Sequence, residues 1–526
     1  MLPVLQKTIA SLRSAAQKAV ETVAPNNRSG LTDDEQSAWD ERVKDYDEWW
    51  SWHSGEAVKV LTKSKKTKEG QKAPYKWPLQ LNLIALGSRI HQQALIGDTK
   101  DPADVPAPVL FDPPDEKDDD SIALAEHANK VLRQVEYENN AAAMDTEGML
   151  LSQVYGGIVQ RVTWEGESPD RLRGIKFEYF TPDEVWFRWR GTDYWNPTDA
   201  WLKRRIARVE AEKYGVQVYD DEVEYMEHWT PTSREITVDG RDAKHPTTGE
   251  SLVGENPDGF VPFIYIPHIR EGSMWGISLV SGALGVMEEI NSRAADIGDG
   301  IYLGTHEFIF GKNMPSGSPS LRMLPDGRPF LDGGRTLGKG PEPSMEVIKR
   351  TLGSEISMKF VDFTIEMLYL QLMMTSSVVG KLEGTQRSGD TVHSLGWLMH
   401  SHVNIERINW TTGLSKRAEM VMRIAANRGL FEVEKSSLGL RKRVHWAPQA
   451  PIDREALANE ITLRMNDGSL WPDLAMEKFG DVPNIAEGMS RVREWMRFQA
   501  ELNKPAVPPA AGGGKPAPVV TAKGGK

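Results

Sequence analysis

The sequence predicts an α+β chain, and three observations carry that expectation. Residues 79–97, 121–155, 278–302, 352–374 and 391–427 place apolar side chains at the spacing of buried helix faces. Residues 156–270 change to short alternating runs broken by glycine, proline and aspartate, the mark of strands and turns. Two of the long helical stretches enclose a segment, 311–343, that is rich in glycine and proline. With 526 residues the chain can bury more than one core, on the order of two to four packed units.

Taken in order, residues 5–23 carry Leu5, Ile9, Leu12, Ala16, Val20 and Val23 at helical spacing, but Lys7, Arg13 and Lys18 break the apolar run a signal peptide needs. A turn cluster at 25–30 precedes Leu31-Thr32-Asp33-Asp34-Glu35, a hydrophobic staple followed by a capping box, so a helix starts near Asp33. It carries Trp39, Tyr46, Trp49 and Trp50, and the basic run 63–72 after it reads as a solvated loop. Residues 79–97 form a helix, 102–120 an acidic proline-rich loop, and 121–155 one or two helices. Ile158 to Trp164 and Phe260 to Ile266 are the clearest strands. From Ser278, residues Leu279, Leu284, Met287, Ile290, Ala294 and Ile297 define a helix of about twenty-five residues. The turn-rich insertion follows, and then a second helix with Phe360, Phe363, Met367, Leu370 and Met374 on one stripe. Glycines interrupt the chain before a third helix ending at Asn427, residues 441–446 form a strand, and 453–502 are mostly helical with breaks at Asp467-Gly468 and Pro483. From Lys504 a tail of proline, alanine, glycine and lysine is expected to be disordered.

Composition excludes several chemistries. The absence of cysteine rules out disulfides, thiolate metal sites and a cysteine nucleophile, and fits a reducing compartment and a cytoplasmic product. No window approaches the ~18 uninterrupted apolar residues of a membrane span. A net charge of −12 argues against a protein that grips nucleic acid over its whole surface, because each phosphate contact needs a positive partner. Gly333 to Gly340 has the glycine and lysine spacing of a phosphate-binding loop, but Gly340 stands where a Ser or Thr should hold magnesium, and Pro341 and Pro343 forbid the following helix. His393, His400 and His402 lie close in sequence. His393 and His400 share a helix face about 10 Å apart, too far for one metal, so all three read as helix-surface or interface residues. The acidic run 112–120 lacks ligand spacing and reads as a solvated loop. Eleven of the seventeen tryptophans precede residue 230, a density that suits packing and subunit interfaces better than stacking on bases.

Three segments resemble the portal proteins of tailed bacteriophages. The first, IPHIREGSMWGISLVSGALGVMEEIN, matches the family's strand, polar loop, aromatic-Gly-x-Ser and helix through Trp275, Gly276, Ser278 and Asn291. The second is the Ser388-Gly389 pair before the third helix, where Asp390 and Thr391 depart from the small or apolar residues more common in the family. The third, MLLSQVYGGIVQRVTW followed by YFTPDEVWFRW, is similar to the strand pair and Pro-x-x-Val element of the portal wing. The resemblance spans residues 75–500, and the order of its degenerate motifs carries it.

What the resemblance implies is a portal-type fold: a mixed wing domain, a two-helix stem, a small α/β clip and a helical crown. On this chain the wing takes 1–275 and 391–452, the stem helices 276–302 and 352–374, the clip 303–351, the tunnel loop 375–390 and the crown 453–503, with the tail at 504–526. The implied function is a ring of about twelve subunits at one capsid vertex, assembled in the host bacterial cytoplasm. Double-stranded DNA passes through it without sequence specificity, and it docks the terminase large subunit, the head-to-tail adaptor, and major capsid and scaffolding proteins. No enzyme activity, cofactor, metal or membrane contact is expected. Gly380, Gly384 and Gly389 would let the tunnel loop change shape, with Lys381 and Arg387 as transient phosphate contacts. Lys312, Arg322, Arg328, Arg335 and Lys339 would make the clip a basic docking end. Twelve copies would carry a formal charge of about −144, so low salt should disfavour assembly. The alternatives are another virion structural component or a metal-dependent nucleic-acid enzyme.

Overall fold

The computed structural model describes residues 30–57, 81–97, 106–115, 117–165, 174–246, 249–304, 308–312, 321–323, 329–331, 344–348, 354–374, 396–449, 454–466, 471, 475 and 485–502. The expected helix at 5–23, the basic run 63–72, Ser388 to Thr391 and the tail from Lys504 lie outside them. Helix and sheet are mixed, as the alternation of periods requires. The chain divides into two compact units, 1–451 and 452–526.

In the first unit, helix α1 (Asp33–Ser54) starts at N-cap Thr32, whose side chain accepts from the Glu35 amide while Glu35 reaches back to the Thr32 amide, the expected capping box. Helix α2 (Leu83–Ile96) is capped by Asn82. Strand β1 (Val109–Asp112) interrupts what the sequence reads as an acidic loop, because Val109, Leu110 and Phe111 are buried between the prolines and the acids. The acidic run is also structured at its other end, where Asp118 caps helix α3 (Asp119–Glu138) by accepting from the Ser121 amide. Asn140, in the left-handed region, separates α3 from α4 (Ala141–Tyr155).

The β-rich section folds into two sheets. Strands β2 (Gly157–Trp164) and β3 (Ile175–Phe180) pair with β10 (Phe263–Pro267) in the order β10-β2-β3, all antiparallel. The second sheet holds β4 (Val185–Trp189), β5 (Pro197–Ala207), β6 (Glu222–Trp229), β7 (Ser233–Val238) and β8 (Arg241–Asp242) in sequence order, with β9 (Gly254–Glu255) also on β7. A short helix, α5 (Arg208–Lys213), follows β5. The period of two in β2 divides its side chains between two cores: Ile158 and Val162 face the helical core, while Val159 joins the aromatic core of the second sheet. Arg161, nearly buried, is fixed to Glu178 and to Glu227, 2.5 Å away. Burial alone would raise the Glu227 carboxyl, but Arg161 together with hydrogen bonds from the Tyr225 hydroxyl and the Trp229 ring N–H leaves it below its usual range.

Strands β11 (Ile269–Arg270) and β12 (Gly276–Ile277) form a hairpin before helix α6 (Leu284–Gly304). Residues 276–283 are therefore strand and 3-10 turn where helix was expected, because Gly276 and Ile277 pair back onto 269–270. Strand β13 (Phe308–Lys312), the β14–β15 hairpin (Leu321–Met323 with Pro329–Leu331) and β16 (Ser344–Ile348) lie within the turn-rich insertion. Helix α7 (Ser354–Gln371) is followed by α8 (Trp397–Asn427), whose buried side carries Val403, Trp410, Leu414, Ala418 and Val421, and by β17 (Arg441–Val444), which pairs with β1. The second unit, by itself, contains α9 (Arg454–Asn466) and α10 (Ile485–Leu502).

The face of α7 differs from expectation. Of the expected stripe Met374 is buried and Met367 half-buried, but Phe360, Phe363 and Leu370 are 44 to 55% exposed, whereas Thr364, Leu368 and Tyr369 are buried. Both sides of this helix are apolar in sequence, so spacing alone does not say which one meets the core.

Candidate functional site

The corner between the sheets and the long helix pair is built from the residues of the aromatic-Gly-x-Ser motif. Trp275 is buried among aromatic rings, with centroids 5.1 Å from Tyr265 and 5.3 Å from Trp186, and with the Arg42 guanidinium 4.5 Å above it. The Gly276 amide donates to the Tyr265 hydroxyl at 2.9 Å, and a Cβ at Gly276 would run into the Gly156 carbonyl. Ser278 donates its hydroxyl to Val154 O at 2.6 Å and accepts the Val280 amide at 3.0 Å, starting the 3-10 turn. Asn291 accepts the Leu81 amide at 2.9 Å and donates to Leu81 O at 3.1 Å, tying α6 to the entrance of α2. Each quoted residue thus has a buried structural task.

Beyond that corner, α6 and α7 pack antiparallel: a side chain at Gly282 would meet Gln371, while Arg293 lies over the Phe360 ring at 5.8 Å. The base of the pair is embedded, with Met287, Ile290 and Ala294 of α6, Leu368 of α7 and Leu372 just beyond its end all buried. Toward the other end, Asp296, Ser357, Met358 and Lys359 are exposed. The chain leaves α6 into β13 and returns through β16, which pair antiparallel from Phe308 opposite Ile348 to Lys312 opposite Ser344. Of the basic residues expected at a docking end, Lys312 closes β13 and Arg322 sits in β14 opposite Phe330. Arg328, Arg335 and Lys339 lie outside the described residues, as do Gly380, Lys381, Gly384, Arg387 and Gly389.

No protein-family model and no curated protein matches the chain.

A second constellation lies at the root of the helix pair, and it changes the reading of the histidines. His91 on α2, His268 between β10 and β11, and His402 and Glu406 on α8 converge there. His91 and Glu406 are fully buried, and His268 is nearly so. His91 Nε2 lies 2.6 Å from Leu372 O, and His268 Nδ1 lies 2.8 Å from Ile277 O, so each ring spends its one N–H on a backbone carbonyl. His402 Nε2 is 3.1 Å from His268 Nε2, and Glu406 Oε1 is 3.5 Å from that same nitrogen. Gln153 donates to Glu406 Oε2 at 3.4 Å. Burial lowers His91 and His268 to about 3 and His402 to about 4, and raises Glu406 to about 8, so all four groups are uncharged near neutrality. His402 is accordingly no helix-surface residue, whereas His400 bonds Gln449 Oε1 at 2.6 Å through Nδ1. His393 lies outside the described residues. The sequence held one local signal for this cluster, His402 and Glu406 one turn apart. His91 and His268 join it only through the fold.

Proposed function

We propose that the chain is a portal subunit, one copy in a ring of about twelve through which DNA enters and leaves a phage capsid. The observation that carries this reading is the antiparallel α6–α7 pair, rooted at one end and continued at the other by a small β ladder. Its outer face supports it further. Met358, Phe360, Phe363 and Leu370 leave large apolar area on one helix, and Trp397, Ile405 and Ile408 do the same at the start of α8. Apolar area of that extent is what contacts with further copies would cover.

In this reading α6 and α7 form the stem, 303–351 the clip, 375–390 the tunnel loop and 453–503 the crown. The terminase large subunit and the head-to-tail adaptor dock on the clip, and the major capsid and scaffolding proteins are further partners. With net negative charge and Lys381 and Arg387 alone in the tunnel loop, DNA is guided without being held, because a deep well at each phosphate would stall passage. Catalysis belongs to the motor, not to this chain.

Negative-stain imaging and mass photometry of the purified chain test the proposal: rings with a central hole are expected, and a monomer under every condition refutes it. Removing residues 312–343 should leave rings intact and abolish motor or adaptor docking. Loss of rings on that deletion would overturn the clip assignment.

A further inference from the structure

We propose that His91, His402 and Glu406, with His268 as the fourth donor, bind one divalent transition-metal ion of the zinc class. The inference is independent of the portal reading and rests on what the buried atoms lack. With their N–H groups spent on Leu372 O and Ile277 O, His91 and His268 each keep one ring lone pair: His91 Nδ1 meets no partner among the described residues, and His268 Nε2 meets only His402 Nε2, at 3.1 Å. His91 Nδ1 and Glu406 Oε1 are buried and have no hydrogen-bond partner among the described residues. Unpartnered polar atoms in a dry interior are costly, and a cation that displaces the Glu406 carboxyl proton to solvent satisfies them together.

The geometry suits such an ion. Metal bonds of about 2.0–2.1 Å at tetrahedral angles separate neighbouring ligand atoms by roughly 3.3 Å. The separations of 3.1 Å from His402 to His268 and 3.5 Å from His268 to Glu406 bracket that value. The donor atoms of His91, His402 and Glu406 all lie within 4.8 Å of one another, a gap that modest side-chain rotation closes. A backbone carbonyl behind the ring fixes the tautomer and orientation of a metal-bound histidine, and two of the three rings already have one. Imidazole and carboxylate donors without cysteine favour zinc and its neighbours over calcium or magnesium. Four protein ligands close the coordination sphere, so the ion would serve as a staple joining α2, α8 and the segment after β10, with the end of α7 held through Leu372.

The test uses the full chain without a histidine tag, freed of metal by a chelator and titrated with Co2+. One Co2+ per chain is expected, with the visible bands of a tetrahedral nitrogen and oxygen site, displaced by Zn2+, and Zn2+ should raise the melting temperature. Glu406→Gln keeps the shape and neutrality of the buried side chain, so it should stay folded by circular dichroism while binding at least about tenfold more weakly. His402→Ala should abolish the bands. Should His402→Ala fail to fold, Glu406→Gln decides alone. No saturable binding by the folded wild-type chain, or binding that folded Glu406→Gln leaves unchanged, overturns the proposal.

Discussion

Replacing Arg417 by methionine should cost about 3–5 kcal/mol, the penalty of stranding a buried charge. Arg417 is fully buried on α8 and donates to both Asp145 oxygens, at 2.5 and 2.9 Å, and to Glu136 Oε1 at 3.3 Å. Methionine preserves much of the side-chain bulk while removing every one of these bonds. Asp145, itself fully buried, would keep only the Tyr179 hydroxyl, which donates to Oδ1 at 2.7 Å. Glu136 suffers less, because burial already pushes its carboxyl toward the neutral form. The loss is a large fraction of the roughly 5–15 kcal/mol that holds a typical domain together. Urea unfolding followed by tryptophan fluorescence reads it as a shift in midpoint at constant slope. The double variant Arg417→Met with Asp145→Asn removes both charges and should recover most of the loss, since a buried pair exchanged for neutral groups is often close to neutral in energy. A single-variant cost under about 1 kcal/mol, or a double variant no better than the single, would refute the claim that this charge network ties α8 to α3 and α4.

Three further outcomes are expected. His53 is buried, and burial lowers its pKa to about 4, so the unfolded chain takes up the proton first as pH falls from 6.5 toward 4; stability is full above 6.5 and is lost across that window, by up to about 3 kcal/mol, and His53→Phe should remove this part of the acid sensitivity in urea titrations at several pH values. Gly276→Ala should destabilise the chain by at least about 1–3 kcal/mol, because its Cβ meets the Gly156 carbonyl rather than a yielding side chain; a melting temperature within a degree of wild type would contradict that close approach. Phe363→Glu, at a position 55% exposed, should change monomer stability by no more than about 0.5 kcal/mol while abolishing any assembly seen by mass photometry, and rings that survive it would remove α7 from the subunit contact.

What the sequence revealed follows from how far apart the cooperating residues lie. The Thr32–Glu35 capping box, the end of α8 at Asn427 and the buried strands β2 and β10 are local patterns, and they are where the spacing puts them. Strand β1 was hidden because three apolar residues between prolines and acids look like a loop until β17, more than three hundred residues later, supplies a partner. The face of α7 was hidden because a helix apolar on both sides carries no preferred direction. Arg417 and Asp145 are 272 positions apart and had no local signature at all. In the histidine cluster, only the four-residue spacing of His402 and Glu406, which puts the pair on one helix turn, is local; His91 and His268 are brought in by the fold.

The cluster also joins the two helix ends that bound residues 375–395. Helix α7 ends where Met373 takes a left-handed φ of 52° and the Met374 amide returns to Tyr369 O at 2.7 Å, with both Leu372 and Met374 fully buried. Gly87 on α2 makes this possible, since a side chain there would collide with Leu372 and Met374, and the Leu372 carbonyl is the one that His91 engages. The chain then passes through 375–395 and re-enters at Gly396 to form α8, whose second turn carries His402. The segment bearing Gly380, Gly384 and Gly389 is thus bounded at its start by a helix end bonded to His91 and at its finish by the helix carrying the neighbouring His402. Strain on either end is resisted at one buried joint, where uncharged rings and backbone carbonyls hold without metal and would hold harder with it. The end of α7 and the start of α8 therefore meet at one fixed point through His91 and His402, whose rings lie 5.3 Å apart. Loosening the joint by His91→Ala should therefore speed amide hydrogen exchange at the end of α7 and in the first turns of α8 together, and unchanged exchange in both would refute the coupling.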